Sequence, residues 1–429
     1  MVRRILLDLI YAVVGVVTAP LWMRKTRGDW RQRFGHPADD QPGERTGDPP
    51  RTEDTQRLLI HAVSVGEVNL TVPLVRALLA EPGRWSITLS VGTDTGIARA
   101  RSLFAAMEGV QIERYPLDAS WAVRRFLDRV RPEAVVLVEL ELWPNFLDAC
   151  RRRGIPVGVV NGRLSERSFR GYRLLRPVLK RYFRSLTFAA VQDEAYAERF
   201  QAMGVPKDRL HVAGSMKWDS ADLGVPEDAA SELAEAMGID RSRPLVVGGS
   251  TAPGEHELLV QAVEGTEAQI LCAPRRPEWF DEAARVLGTA TVRRSRPGEG
   301  DPSNGRFVLD TIGELRAAYA LADIVVVGRS FGDLAGSDPM EPAALGKPVL
   351  IGPAHADFLD ATQTLRQAGG LRVVEQDELA DAIGALLRDE ASRTRMGEAA
   401  AACVQSKAGA TQRHVELIER YLNSGRSDA

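Results

Sequence analysis

The chain has 429 residues, 44% of them apolar and 26% charged, and its 55 basic and 58 acidic side chains leave a formal net charge of −3. That apolar fraction belongs to a folded globular chain, and the length suits two domains of about 150–200 residues better than one core. The near-balanced charge excludes a nucleic-acid binder working through a broad basic surface. Three scattered cysteines and six histidines without ligand spacing exclude a disulfide scaffold and a zinc ribbon and give a metal site no support.

From Ile5 to Met23 the chain is apolar except for Asp8, Thr18 and Pro20. About 19 helical residues at 1.5 Å each reach roughly 28 Å, the thickness of a bilayer core. Arg3 and Arg4 precede this run; Arg24, Lys25, Arg27, Arg31 and Arg33 follow it, with no small-x-small cleavage site. Residues 1–35 therefore read as a membrane anchor with its basic flank, the rest of the chain lying on the cytoplasmic side. Asp8 and the marginal length leave a helix lying in the interface as one alternative, and an apolar N-terminal helix packed on the first domain as another. His36–Gln56 is a polar loop rich in Pro, Gly and Asp.

Beyond it, apolar β-type runs alternate with amphipathic helical stretches such as Val68–Ala80 and Trp121–Val130. The spacing predicts strands at Arg57–Val63, Ser86–Val91, Ala134–Leu140, Pro156–Gly162 and Thr187–Gln192. A second set is predicted at Pro244–Ser250, Ala268–Pro274, Arg306–Asp310, Asp323–Gly328 and Lys347–Gly352. Ala221–Pro244 reads as the connection. Runs of consecutive apolar residues suit strands covered on both faces, so the alternation predicts an α/β fold of two Rossmann-like doubly wound domains facing a cleft. The boundaries are 57–222 and 240–404, with residues 405–429 a C-terminal helix placed to cross back to the first domain.

In such folds ligands bind at the carboxyl ends of the strands, so those ends carry the candidate chemistry. HAVSVGE ends the first strand and sets Glu67 near the first turn of a helix. There it is either a base for a ligand hydroxyl or a carboxylate favoured by the helix dipole. Gly92, Thr93, Thr95 and Gly96 form a turn suited to anions or sugar hydroxyls. VELELWPN carries Glu139 and Glu141, which on a continuing strand point to opposite faces. NGRLS offers Arg163 for a phosphate, whereas Arg167 and Arg170 read as solvated. GSMKWD sets Lys217 after a glycine turn. In the second half GGST offers backbone amides as a phosphate cradle, and PRRPE offers Arg275. DTIGEL brings backbone toward a flat base, and DPMEPAALGKPVLIG follows as the most specific stretch.

In order, the anchor, HAVSVGE, the threonine turn, ELWPN, NGRLS, GSMKWD, GST-x-x-GE, PRRPE, DT-x-GEL and EPAALGKPV resemble the 3-deoxy-D-manno-octulosonic acid (Kdo) transferases of lipopolysaccharide assembly, over nearly the whole chain. The resemblance implies the GT-B architecture and a metal-independent inverting transfer of Kdo from CMP-Kdo to a lipid A precursor. CMP-Kdo is then a donor substrate and no cofactor is needed. The implied location is the cytoplasmic face of the inner membrane, with no nucleic-acid partner. It also implies Glu67 as catalytic base, and Glu139 and Lys217 as stabilisers of the transition state. CMP contacts are implied for Pro274 and Arg275, for Ile312, Gly313 and Glu314, and for Asp338, Pro339, Met340 and Glu341. The chain departs from the family pattern at Gly328-Arg329-Ser330, usually Gly-Gly-Ser, and at Ala335-Gly336-Ser337-Asp338, usually Gly-Gly-His-Asn. Arg276 stands where histidine is common. The rival readings are a GT-B enzyme of other specificity (a lipid-A-disaccharide synthase or a nucleotide-sugar epimerase) and a non-catalytic membrane-bound binding protein.

Overall fold

A computed structural model describes residues 30–37, 55–221 and 228–422. Among them no helix is long and apolar enough to cross a membrane, and the anchor expected over residues 1–35 lies almost wholly outside them. The chain divides into two compact units, one running up to Ser220 and resuming at Gly409, the other Ala221–Ala408.

The first unit is built on a seven-stranded parallel sheet. Its strands are β1 (Gln56–Ala62), β2 (Trp85–Val91), β3 (Val110–Arg114), β4 (Ala134–Val138), β5 (Val157–Gly162), β6 (Phe188–Val191) and β7 (Leu210–Val212), in the order β3-β2-β1-β4-β5-β6-β7. Strand β1 sends Leu58, Ile60 and Ala62 into one apolar cluster and Leu59 into the other, and β4 divides Val136 and Val138 from Val135 and Leu137 in the same way. Both faces are dry, which is why these strands read as unbroken apolar runs. Strands β3 and β7 escaped the sequence pattern because VQIER mixes polar side chains into an edge strand and LHV is three residues long.

The helix Ala410–Leu422 packs on this sheet, burying Val415, Ile418 and Leu422 in its core. His414 Nε2 accepts a hydrogen bond from the Asn161 amide at 2.8 Å, and Asp219 accepts those of Gly409, at 2.7 Å, and Thr411.

The second unit repeats the plan with β8 (Leu245–Thr251), β9 (Gln269–Pro274), β10 (Val292–Arg293), β11 (Arg306–Val308), β12 (Ile324–Val327), β13 (Val349–Ile351) and β14 (Leu371–Val373), all parallel, in the order β10-β11-β9-β8-β12-β13-β14. Strand order reverses at β1/β4 in one sheet and at β8/β12 in the other. Those crevices are where ligands of doubly wound sheets lie. The backbone is strained near strand ends: of the six non-glycine residues with positive φ among those described, Glu139, Asn161, Ser250 and Arg329 sit at or just past one.

Candidate active site

At the first crevice, β1 runs through Val63 into the helix Val65–Leu79. Ser64 caps it in extended conformation, its hydroxyl accepting from the Glu67 amide. Glu67 reaches back, one carboxylate oxygen accepting from the Val63 amide at 2.8 Å and the other from Ser64 Oγ at 3.0 Å. This is a variant of the capping box, the glutamate taking the amide one residue before the cap, so the structural role weighed for Glu67 is present. It does not exhaust the group. Two donors occupy two of the roughly four acceptor positions of a carboxylate. Glu67 is also buried at 9% exposure, and burial raises its pKa, opposed by the Val63 amide and aided by the charge of Glu139.

The arrangement of Glu139 and Glu141 corrects the sequence expectation. Strand β4 stops at Val138 and Glu139 turns left-handed at φ 62, so the two glutamates lie in a loop and not on opposite faces of a strand. The bend follows the last ladder bond of β4, the Glu139 amide donating to Val160 O at 2.9 Å. Glu141 accepts from Trp143 Nε1 at 3.1 Å, and burial, then the charge of Glu67, push its pKa up to about 7. The helix Pro144–Arg152 that follows is capped from a distance by Asp118, whose carboxylate takes the amides of Asn145 (2.9 Å) and Phe146 (2.8 Å).

A cavity of about 660 Å³ opens beside these groups, lined among others by Arg33, His61, Thr93, Asp94, Tyr115 and Trp143. Thr93 caps the helix Asp94–Phe104 and donates to Val63 O at 3.0 Å, so the threonine turn ties β2 to the Glu67 loop. Asp94 pairs with Arg33 (3.0 Å) and Arg114 (2.6 Å). His61 stacks on Tyr115 with ring centroids 3.8 Å apart, and its Nδ1 lies 3.1 Å from Ser90 O, an acceptor that requires the proton on Nδ1. Burial drives its pKa to about 3, so it is neutral at pH 7, and Nε2 is a buried acceptor with no partner among the described residues. The sequence reading assigned no role to His61, Asp94 or Arg114. His61 and Asp94 stood within the motifs at the first two strand ends, and Arg114 belongs to a strand that was missed.

Asn161, left-handed at φ 51, joins the next two motifs: its Oδ1 accepts from the Met216 amide at 3.0 Å and so fixes the loop that carries Lys217. Lys217 opens the short helix Lys217–Ala221 with its amide 3.4 Å from Ser215 Oγ. Arg163 donates to Tyr196 OH at 3.3 Å.

In the second unit Pro274 ends β9, and the exposed Arg275 follows with its amide on Thr251 O at 2.9 Å. Ile312 is 84% exposed and Gly313 is left-handed at φ 101, while Glu314 accepts from Thr311 Oγ1 and from Arg294 Nε at 3.0 Å. Asp338 accepts the Met340 amide at 2.8 Å, across Pro339, at the start of the helix Met340–Ala344 that carries Glu341. Burial raises the pKa of Glu341, and the charges of Arg316 and Arg275 oppose the rise. Tyr319, fully buried, feels Glu341, Asp338 and Arg275. Pro274, Arg275, Asp338 and Glu341 thus come together at one end of this sheet with Arg316, which the sequence reading overlooked because it opens an ordinary-looking helix, Leu315–Leu321. The glycine-serine-threonine turn differs from expectation. Strand β8 continues through Thr251, and the next amide, that of Ala252, is taken at 2.8 Å by Glu255 instead of facing an open phosphate cradle.

Residues 28–220 match a family model described as 3-deoxy-D-manno-octulosonic-acid transferase (kdotransferase). The 3-deoxy-D-manno-octulosonic acid transferase of Bordetella pertussis is 35% identical over 427 residues, covering 94% of this chain and 96% of its own. That of Haemophilus influenzae is 32% identical over 381 residues, covering 86% of this chain and 87% of its own. Among solved structures, the UDP-GlcNAc 2-epimerase from Neisseria meningitidis bound to UDP-GlcNAc superposes with a TM-score of 0.58 at 13% identity, over 85% of this chain and 100% of that one, a likeness of fold.

Proposed function

The chain belongs to the 3-deoxy-D-manno-octulosonic acid (Kdo) transferase family of glycosyltransferases, and from that premise we propose that it transfers Kdo from CMP-Kdo to a lipid A precursor, with inversion, at the cytoplasmic face of the inner membrane. The observation that carries the reading is the 35% identity to a Kdo transferase across 94% of the chain, through both units. In this reading the first unit takes the acceptor and the second takes the donor.

Glu67 removes the proton from the acceptor hydroxyl while that oxygen attacks the anomeric carbon of Kdo and the bond to the CMP phosphate breaks. Its elevated pKa suits a general base better than an ordinary solvated carboxylate does. Glu139 faces the cationic character that develops on the sugar, and Lys217 the negative charge of the departing nucleotide. Glu341 accepts from the ribose hydroxyls, with Arg275 and Arg316 beside it for the phosphate. Ile312, Gly313 and Glu314 lie along the base. A single displacement uses no enzyme nucleophile, metal or cofactor.

Membrane attachment is supported by the helices Glu166–Leu174 and Arg176–Arg184. Leu174, Leu175 and Val178 stand 83%, 60% and 48% exposed amid the exposed cations Arg170, Arg173, Arg176, Lys180 and Arg184. Apolar side chains inside a ring of cations suit an anionic lipid surface.

The test is incubation of the full chain with CMP-Kdo and a tetraacylated lipid A precursor, followed by mass spectrometry of the lipid and measurement of released CMP. One or more Kdo additions that depend on both substrates are expected. Unmodified lipid beside a folded, CMP-binding protein would overturn the acceptor assignment.

A further inference from the structure

The second crevice is filled from within. Glu255, the first residue of the helix Glu255–Val263, is 5% exposed. One oxygen of its carboxylate accepts from the amides of Ala252 (2.8 Å) and Arg329 (2.7 Å), the other from those of Ser330 (2.8 Å) and Phe331 (3.1 Å). The first amide follows β8 and the other three follow β12, the two strands at which the sheet order reverses. Convergent amides at such a point form an anion site, and here a side chain of the chain itself supplies the anion.

The hydrogen bonds run on from this nest toward the donor segment. Arg329 is held left-handed at φ 59, its carbonyl accepts from the Gly336 amide at 2.8 Å, and its Nη2 donates to Leu334 O at 2.9 Å, closing the loop 329–336. Ser330 Oγ donates to Val327 O at 2.6 Å and accepts from the Gly352 amide at 2.8 Å; Ser330 O accepts from the Ala354 amide at 2.9 Å. Gly336 sits two residues before Asp338, so the path from Glu255 to the start of the Asp338–Glu341 segment is short and runs largely through backbone. A side chain added at Gly328 would meet Thr251 Cα at 2.6 Å, which leaves the two strand ends no slack.

We propose that Glu255 is the positioning residue of the donor site: by filling the amide nest with its own carboxylate it sets the 329–336 loop and, through it, Asp338 and Glu341. The inference rests on the reading that CMP-Kdo binds at this segment. It also explains how Arg329, a non-glycine residue where the family usually has glycine, is kept left-handed: its amide is pinned by a buried carboxylate.

The experiment pairs hydrogen exchange of the amides at 329–331 with CMP affinity by titration calorimetry, on the full chain. Glu255→Ala should speed exchange at these amides and weaken CMP binding by roughly tenfold or more, the scale of losing hydrogen bonds to a charged group. Added acetate or formate should enter the vacated nest and restore both readouts, while chloride at equal ionic strength should not. Glu255→Gln keeps one acceptor oxygen and turns an NH₂ against the remaining amides, so it should loosen the loop partly and resist rescue; it serves as the deciding variant if the alanine form does not fold. Unchanged exchange and affinity in a folded variant, or defects that carboxylates do not repair in a folded alanine form, would overturn the proposal. A wild-type chain that binds no CMP would instead overturn the donor reading, since the exchange measurement still judges the nest.

Discussion

Replacing Glu67 by glutamine separates the two roles that this residue holds. The capping box should survive the change: the glutamine oxygen can keep the Val63 amide, now 2.8 Å from the carboxylate, while its NH₂ donates to Ser64 Oγ, a hydroxyl able to accept as well as donate. Losing the negative charge near the positive end of the helix costs about 0.3–1 kcal/mol, but relief of its burial and of repulsion from Glu139 offsets that cost, so the net stability change should be small. The amide cannot take a proton at neutral pH, so transfer should fall about 10²- to 10⁴-fold, or roughly 3–5 kcal/mol of transition-state stabilisation. The kinetic loss thus exceeds any change in stability several times over, and one variant reports both. The assay is single-turnover Kdo transfer beside CMP-Kdo affinity and the melting temperature. Donor affinity should hold, because only the transition-state interaction is lost. In the wild type the acid limb of the rate profile should lie above the ordinary carboxylate range, since the folded pKa of Glu67 is raised; in the variant that limb should vanish. Turnover near wild type, with only a small fall in melting temperature, would leave Glu67 a helix cap and nothing more.

Glu141→Gln tests the carboxylate cluster through stability. Its folded pKa is raised to about 7 from 4.5, so its favourable contribution is complete below about pH 4.5 and is lost as pH rises through 7. The variant should therefore be more stable than wild type at pH 8, by about 1–3 kcal/mol, and nearly equal to it at pH 5. An equal effect at both pH values in chemical denaturation would refute the assignment. Glu341→Ala should weaken CMP-Kdo binding by about 1.5–3 kcal/mol; unchanged affinity in calorimetry would move the donor site away from this helix. Gly249→Ala should destabilise the second unit by about 1–3 kcal/mol or more, because the new Cβ would lie 2.1 Å from the hydroxyl of the buried Tyr319. An unshifted denaturation midpoint would show that Tyr319 moves aside freely.

Apolar runs such as AVVLV and IVVV announced the central strands, because burial on both faces leaves no polar position to break them. The edge strands β3, β7, β10 and β14 lack that mark, being short or partly polar. Local chemistry was legible to a similar depth. That Glu67 sits in the first turn of a helix follows from Ser64 three residues before it. Its elevated pKa does not, for that depends on burial and on Glu139, brought near by a strand that lies far along the chain but pairs with β1.

Glu139 marks the limit most clearly. Read as a strand, V-E-L-E alternates, and one glutamate must turn away from the ligand face. The strand instead ends at Val138, and the left-handed turn at Glu139 costs roughly 1–3 kcal/mol of backbone strain. The Glu139 amide still donates to Val160 O, the last bond of the β4–β5 ladder, so the chain leaves the sheet directly after it. The consequence of the turn is electrostatic: burial and the charge of Glu139 raise the pKa of Glu67, and burial with the charges of Glu67 and Glu139 raises that of Glu141. A base that must take a proton near neutrality needs this elevation. A continuous strand would have dispersed the carboxylates. The turn is the structural cause of the cluster, and no local pattern in V-E-L-E records it.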